Sequence, residues 1–271
     1  MVDIHAAYYG KRLLNQPAPK WYHRGTVAQR LLLATNNPGK VAEYRHLLAE
    51  LPMDLVTPTQ ARIEGEPEET GATFEENALL KARYYSERSG LLTLADDSGL
   101  EVDALNGGPG VYSARYGGPG ISDSDRVNKL LKALEGVPWE RRTARFRCVI
   151  TIVWPSGVSE LFEGRCDGKI AQAASGSGGF GYDPIFYIPM LRKTMAELTA
   201  EEKNRISHRG RAARKVLKAF KERRAIIRKR ESMKRRQLSN FAELRRKEPK
   251  VSFWNRGTRV ISGLLRRPKG E

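Results

Sequence analysis

The sequence predicts an α/β protein built on a mixed sheet, and three observations carry the prediction. Short apolar runs ending in turn residues alternate with stretches of helical spacing. Two long strand-like segments flank Pro155-Ser156-Gly157 as a hairpin. Thr–Glu pairs three residues apart, Thr73/Glu76 and Thr199/Glu202, mark helix starts as capping boxes.

Taken in order, residues 30–35 (RLLLAT) form a buried strand that ends in Asn36-Asn37-Pro38-Gly39. Val41, Tyr44, Leu47 and Leu48 then recur at helical spacing across 40–51, and 53–56 is a second strand. The first capping box opens a helix over 74–88, and 91–95 is a buried strand stopping at Asp96-Asp97-Ser98-Gly99. A helix over 123–134 precedes the hairpin strands 145–154 and 158–166. A glycine-rich stretch follows at 175–181, and Ser207 opens a long basic helix.

The chain has 271 residues, with 48 Lys and Arg against 31 Asp and Glu, a net charge of +17. That charge is unevenly spread: residues 1–28 carry +3, residues 29–220 only +1, and residues 221–271 carry +13. Three segments are therefore expected: an irregular extension (1–28), a nearly neutral domain (29–220) and a basic helical or disordered tail (221–271). No run of 18 apolar residues occurs, which excludes a membrane-spanning helix, and residues 1–28 lack the apolar core of a signal peptide. Cys148 and Cys166 match no metal-ligand spacing and point to a reducing, cytoplasmic compartment.

Three stretches lie where α/β folds place ligands, at strand ends and in glycine-rich loops. Thr35, Asn36, Asn37, Pro38, Gly39 and Lys40 offer a hydroxyl, amides, backbone N–H groups at a helix start and an ammonium, a set suited to phosphate. A plain helix-capping turn explains the same residues. Glu69 with Asp96-Asp97 supplies carboxylates for Mg²⁺, or for deprotonating a water; alternatively Asp97 and Ser98 cap the next helix. Phe180, Gly181, Tyr182 and Asp183, with Lys203, His208 and Arg209 downstream, supply a stacking face and polar groups for a base, or else core packing. Together they describe a nucleotide site.

Five blocks carry a family resemblance: TNNPGK (35–40), ETGATFEENALLKA (69–82), ADDSGLEVDALNGGPGVYSARY (95–116), GGFGYDPIF (178–186) and LTAEEKNRISHRGRA (198–212). Through them, residues 30 to 220 resemble the inosine triphosphate pyrophosphatase family, enzymes that cleanse the nucleotide pool of ITP, dITP and XTP. The resemblance implies an elongated, two-lobed α/β fold around a central mixed sheet, an active site in the cleft between lobes, and a homodimer. It implies that Glu69 and Asp97 bind Mg²⁺, that Asp97 is the general base, and that Ser98 contacts substrate. Thr35, Asn37 and Lys40 match its phosphate loop, and Lys203 its phosphate or substrate lysine. Phe180, Gly181, Tyr182 and Asp183 match the base-binding segment, and His208 and Arg209 the base-edge contacts.

Two alternatives stay open on the sequence. One is a pyrophosphatase for other modified or pyrimidine nucleotides. The other is a nucleic-acid-binding protein that uses the basic tail, where Phe241, Phe253 and Trp254 lie among cations.

Overall fold

A computed structural model describes residues 29–247. The expectations for residues 1–28, and those for Phe253, Trp254 and the rest of 248–271, lie outside the described residues.

Twelve elements follow one another: β1 (Gln29–Leu33), α1 (Pro38–Leu47), β2 (Met53–Val56), α2 (Phe74–Ser89), β3 (Leu92–Val102), α3 (Asp123–Ala133), β4 (Thr143–Val153), β5 (Ser159–Ile170), β6 (Phe186–Ile188), β7 (Lys193–Thr194), α4 (Ala200–Ile206) and α5 (His208–Lys247). The strands form one seven-stranded sheet in the order β2-β1-β3-β4-β5-β6-β7. β1 runs parallel to β2 and β3, whereas every pairing from β3 to β7 is antiparallel. The sheet is therefore mixed, as the alternation and the hairpin predict.

Local chemistry sets the helix starts. Both capping boxes form, with Thr73 and Thr199 accepting from the backbone of Glu76 and Glu202. Gly90 ends α2 in the left-handed conformation at φ 63°, where a side chain would be strained. Asn37 caps α1 through its side chain and Pro38 occupies the first turn, where a missing N–H costs nothing.

One expectation is corrected. β3 does not stop at Ala95 but continues to Val102, so Asp96, Asp97 and Ser98 are mid-strand residues, not a turn or a helix cap. They stand opposite Ile150, Val149 and Cys148 of β4. The long antiparallel ladder keeps the backbone satisfied, and cations distant in sequence pair with the carboxylates, so local turn propensity loses.

The long strands join two hydrophobic cores. Leu92 and Leu94 of β3, with Ile150 and Ile152 of β4, pack against Tyr44 of α1, Leu48 just past its end, and Ala212, Ala213 and Val216 of α5. Further along the same strands, Leu100, Val102, Ala144 and Phe146 pack with Leu130, Ile185, Phe186 and Met195. Asp96, Asp97 and Ser98 fall between the two. Gly164 of β5 lets α5 start against the sheet, because a Cβ there would fall on the His208 carbonyl and lie 2.6 Å from Ala212 N. By contacts the described chain divides after Arg223, so that residues 224–247 of α5 belong to a second unit. No described helix is long and apolar enough to cross a membrane. Both cysteines are free and buried.

Candidate active site

Successive strand residues face opposite sides of a sheet, and this separates the two aspartates of β3. Each meets its own cations. Adjacent carboxylates thus avoid the mutual repulsion that their sequence positions suggest.

Asp96 and Ser98 share one face. Lys40 Nζ lies 3.1 Å from Asp96 Oδ1, and Arg209 Nη2 lies 3.3 Å from Oδ2. Ser98 Oγ donates to Asp96 Oδ2 at 3.1 Å and accepts from Arg209 Nη2 at 2.8 Å. Arg209 Nη1 donates to Glu43 Oε2 at 2.5 Å, and Glu43 Oε1 is 2.7 Å from Lys203 Nζ, which also pairs with Asp183. Four of the five N–H groups of Arg209 are thereby engaged, and one on Nη1 remains. Burial alone would raise the Asp96 and Glu43 carboxyls. Lys40 and Arg209 instead hold Asp96 below the ordinary carboxylate range, and Arg209 and Lys203 do the same for Glu43.

Asp97 belongs to the other face. Lys81 Nζ donates to Asp97 Oδ1 at 2.8 Å and to Glu69 Oε1 at 2.9 Å. Arg115 holds Glu69 through Oε2 and the backbone carbonyl, each at 3.2 Å. Among the described residues, Asp97 Oδ2 is buried without a hydrogen-bond partner. Burial raises the Asp97 carboxyl above its ordinary value despite Lys81, and Glu69 adds to the rise. For Lys81 the opposite balance holds: burial would lower the ammonium, but Asp97 and Glu69 push it up. Lys40 acts electrostatically on Asp96, Asp97 and Glu69 alike, so it links the two faces.

The phosphate-type loop is ordered by its own polar groups. Asn37 Oδ1 accepts from Lys40 N at 3.0 Å, Thr35 Oγ1 accepts from Asn37 N at 3.2 Å, and Asn36 Oδ1 accepts from Thr59 Oγ1 at 2.9 Å. The capping turn is thus real, and it leaves Asn36, Asn37 and Pro38 exposed. Phe180 leans over the same loop: a Cβ at Gly39 would lie 2.7 Å from its ring. Lys203 Nζ and Arg209 Cζ lie 4.8 Å and 5.5 Å from the Phe180 centroid.

The remaining expected base-site residues are mostly buried supports. Asp183 accepts the Phe180 N–H at 2.9 Å, Gly181 N donates to Asp123 at 2.8 Å, and Tyr182 OH donates to Ser113 O at 3.0 Å. Tyr182 lies in the second core. His208 is buried and stacked on Phe146 at 4.6 Å, with Nδ1 lacking a partner. Burial, reinforced by Arg209 and Lys203, drives its pKa well below the ordinary histidine value.

Glu43, Lys81 and Arg115 complete the charge network but gave no functional signal in the sequence reading. Lys81 had one available: it interrupts the apolar stripe Ala78, Ala82, Tyr85 of α2, where a cation requires buried anions.

The fit to a divalent cation can be tested on these atoms. Asp97 Oδ2 is an orphaned, buried oxygen beside Glu69, as a ligand for Mg²⁺ requires. Among the described residues no three His, Cys, Asp or Glu converge into a closed metal site. Mg²⁺ characteristically takes one or two carboxylates and draws its other ligands from phosphates and water, so two acids suffice.

Fold and site define an α/β protein whose sheet carries two back-to-back carboxylate–cation centres beside a polar loop and an aromatic platform. The chain belongs to the Ham1 family, whose model matches residues 31–219. It is 50% identical over 196 residues to a dITP/XTP pyrophosphatase of Yersinia pseudotuberculosis, a match covering 72% of this chain and 99% of that protein. It is 52% identical over 188 residues to a dITP/XTP pyrophosphatase of Desulforamulus reducens, covering 69% and 94%. The solved HAM1 protein from Coxiella burnetii superposes with a TM-score of 0.66 at 42% identity, covering 72% of this chain and 99% of that one.

Proposed function

We propose that the protein hydrolyses non-standard purine nucleoside triphosphates, ITP, dITP and XTP, to the monophosphate and pyrophosphate in a magnesium-dependent reaction. The observation that carries this is Asp97: Oδ1 is fixed by Lys81, while Oδ2 is buried, unpartnered and available for a proton or a metal.

Glu69 and Asp97 would hold Mg²⁺, which would offset phosphate charge and lower the barrier to attack by water. A triphosphate carries about four negative charges, so Lys40, linking both carboxylate centres, serves to draw it in. Asp97 takes a proton from water as the water oxygen bonds to the α-phosphorus. The bond from that phosphorus to the bridging oxygen breaks, and its electron pair leaves with pyrophosphate. Lys81 keeps Asp97 oriented and charged until that transfer.

Base choice follows from donors. Phe180 offers a ring face beside Lys203 and Arg209. The one uncommitted N–H of Arg209 suits the oxygen at position 6 of hypoxanthine or xanthine, whereas adenine would present a donor to a donor. A mismatched polar group of this kind can discriminate about 10⁴-fold. Guanine shares the oxygen, so its exclusion falls to the contact at position 2.

The same reading gives a homodimeric, cytoplasmic enzyme with catalysis confined to residues 29–220. Product analysis tests it: ITP and Mg²⁺ in ¹⁸O-labelled water should yield labelled monophosphate and unlabelled pyrophosphate. Release of inorganic phosphate, or label in pyrophosphate, would contradict attack at the α-phosphorus.

A further inference from the structure

The family match ends at residue 219, and α5 continues to Lys247. Residues 224–247 therefore lie outside the family match. They hold ten Lys and Arg against two Glu. Over 24 helical residues this is a rod of about 36 Å.

At about 100° per residue the cations are not confined to one side. Arg224, Arg228, Lys229, Arg235 and Arg236 fall on one half of the helix, interleaved with Ser232 and Ser239. Arg230 and Lys234 fall on the other, among Ile226, Ile227, Met233, Leu238 and Phe241. Arg228, Lys229, Lys234, Arg235 and Arg236 are all exposed.

This distribution discriminates between polyanions. An acidic membrane meets one side of a helix, so a surface-lying helix keeps its cations there and its opposite half apolar. Arg230 and Lys234 break the apolar half. The major groove of B-DNA, about 12 Å wide, takes a helix of similar diameter and lines it with phosphates on both flanks, which cations on both halves can meet.

We propose that residues 224–247 bind double-stranded DNA, lodged in the major groove and held mainly by phosphate contacts. Sequence selectivity is not expected, because phosphates carry no base information. This proposal does not rest on the pyrophosphatase reading.

The test uses the full chain with a mixed-sequence DNA duplex longer than the helix, and separately with an RNA duplex and with phosphatidylserine vesicles. Binding to the DNA duplex should weaken about 10³-fold between ~50 and ~200 mM salt, as six or more phosphate contacts imply. The combined variant Arg228→Gln, Lys229→Gln, Arg235→Gln, Arg236→Gln should flatten the slope of log K against log salt by up to about 3.6. Its circular dichroism and triphosphate hydrolysis should be unchanged, since glutamine keeps helix propensity. An unchanged DNA affinity and slope in that variant, or binding confined to the RNA duplex or to the vesicles, would overturn the proposal.

Discussion

Lys81 Nζ donates to Asp97 Oδ1 at 2.8 Å and leaves Oδ2 of the same carboxylate buried without a partner. One oxygen is fixed and the other is kept for chemistry. Asp97→Asn removes the proton acceptor and a charge, and kcat should fall by about 10³-fold or more. Lys81→Met should also lower kcat. Without its ammonium the Asp97 carboxyl, already raised by burial, rises further, so the acid limb of the kcat/KM profile moves to higher pH. A pH–rate series on both variants checks this.

Glu43 ties Arg209 to Lys203, and Asp96 holds the same guanidinium from the sheet. Removing one partner of a buried pair leaves an uncompensated charge, which costs about 3–5 kcal/mol. Asp96→Asn should lose stability on that scale in denaturant unfolding. Glu43→Gln keeps a hydrogen-bonding shape and should lose less.

Stability should fall with acid in two stages. His208 has a folded pKa below its unfolded value of 6.5, so the unfolded chain takes the proton first. Its contribution is complete above pH 6.5 and is lost as the pH drops below it, by up to about 1.4 kcal/mol per pH unit. Glu43 and Asp96 act lower: their depressed pKa values give stability that is present above 4.5 and 3.8 and lost as pH falls through the folded values. Unfolding measured from pH 7.5 to 5 should show a slope that His208→Phe removes.

Gly39 and Phe180 are coupled by contact. A Cβ at Gly39 would stand 2.7 Å from the Phe180 ring, which must then shift off the loop. Gly39→Ala should raise KM for ITP several-fold with helix content intact. In a Phe180→Ala background the same change should add nothing, and a double-mutant cycle measures the difference.

Much of this architecture was legible because it follows local rules. The strand over 53–56 appears with those bounds, and the Thr73 and Thr199 capping boxes form as their spacing dictates. Asp96-Asp97-Ser98-Gly99 misled because it has turn chemistry, yet it is fixed by the β4 ladder and by Lys40, Lys81 and Arg209, all distant in sequence. Tyr182 and His208 left base contact and core packing both open in the sequence; the fold buries one in a core and stacks the other on Phe146. Glu43 escaped notice because a glutamate on a polar helix carries no local mark of the two cations that reach it.

The central claim is selective hydrolysis of non-standard purine triphosphates. It is tested most directly by kcat/KM for ITP, dITP, XTP, GTP and ATP, read as pyrophosphate release with Mg²⁺. ITP, dITP and XTP should exceed ATP by several orders of magnitude, with GTP well below them. A preference for ATP, or equal rates across the five, would contradict it.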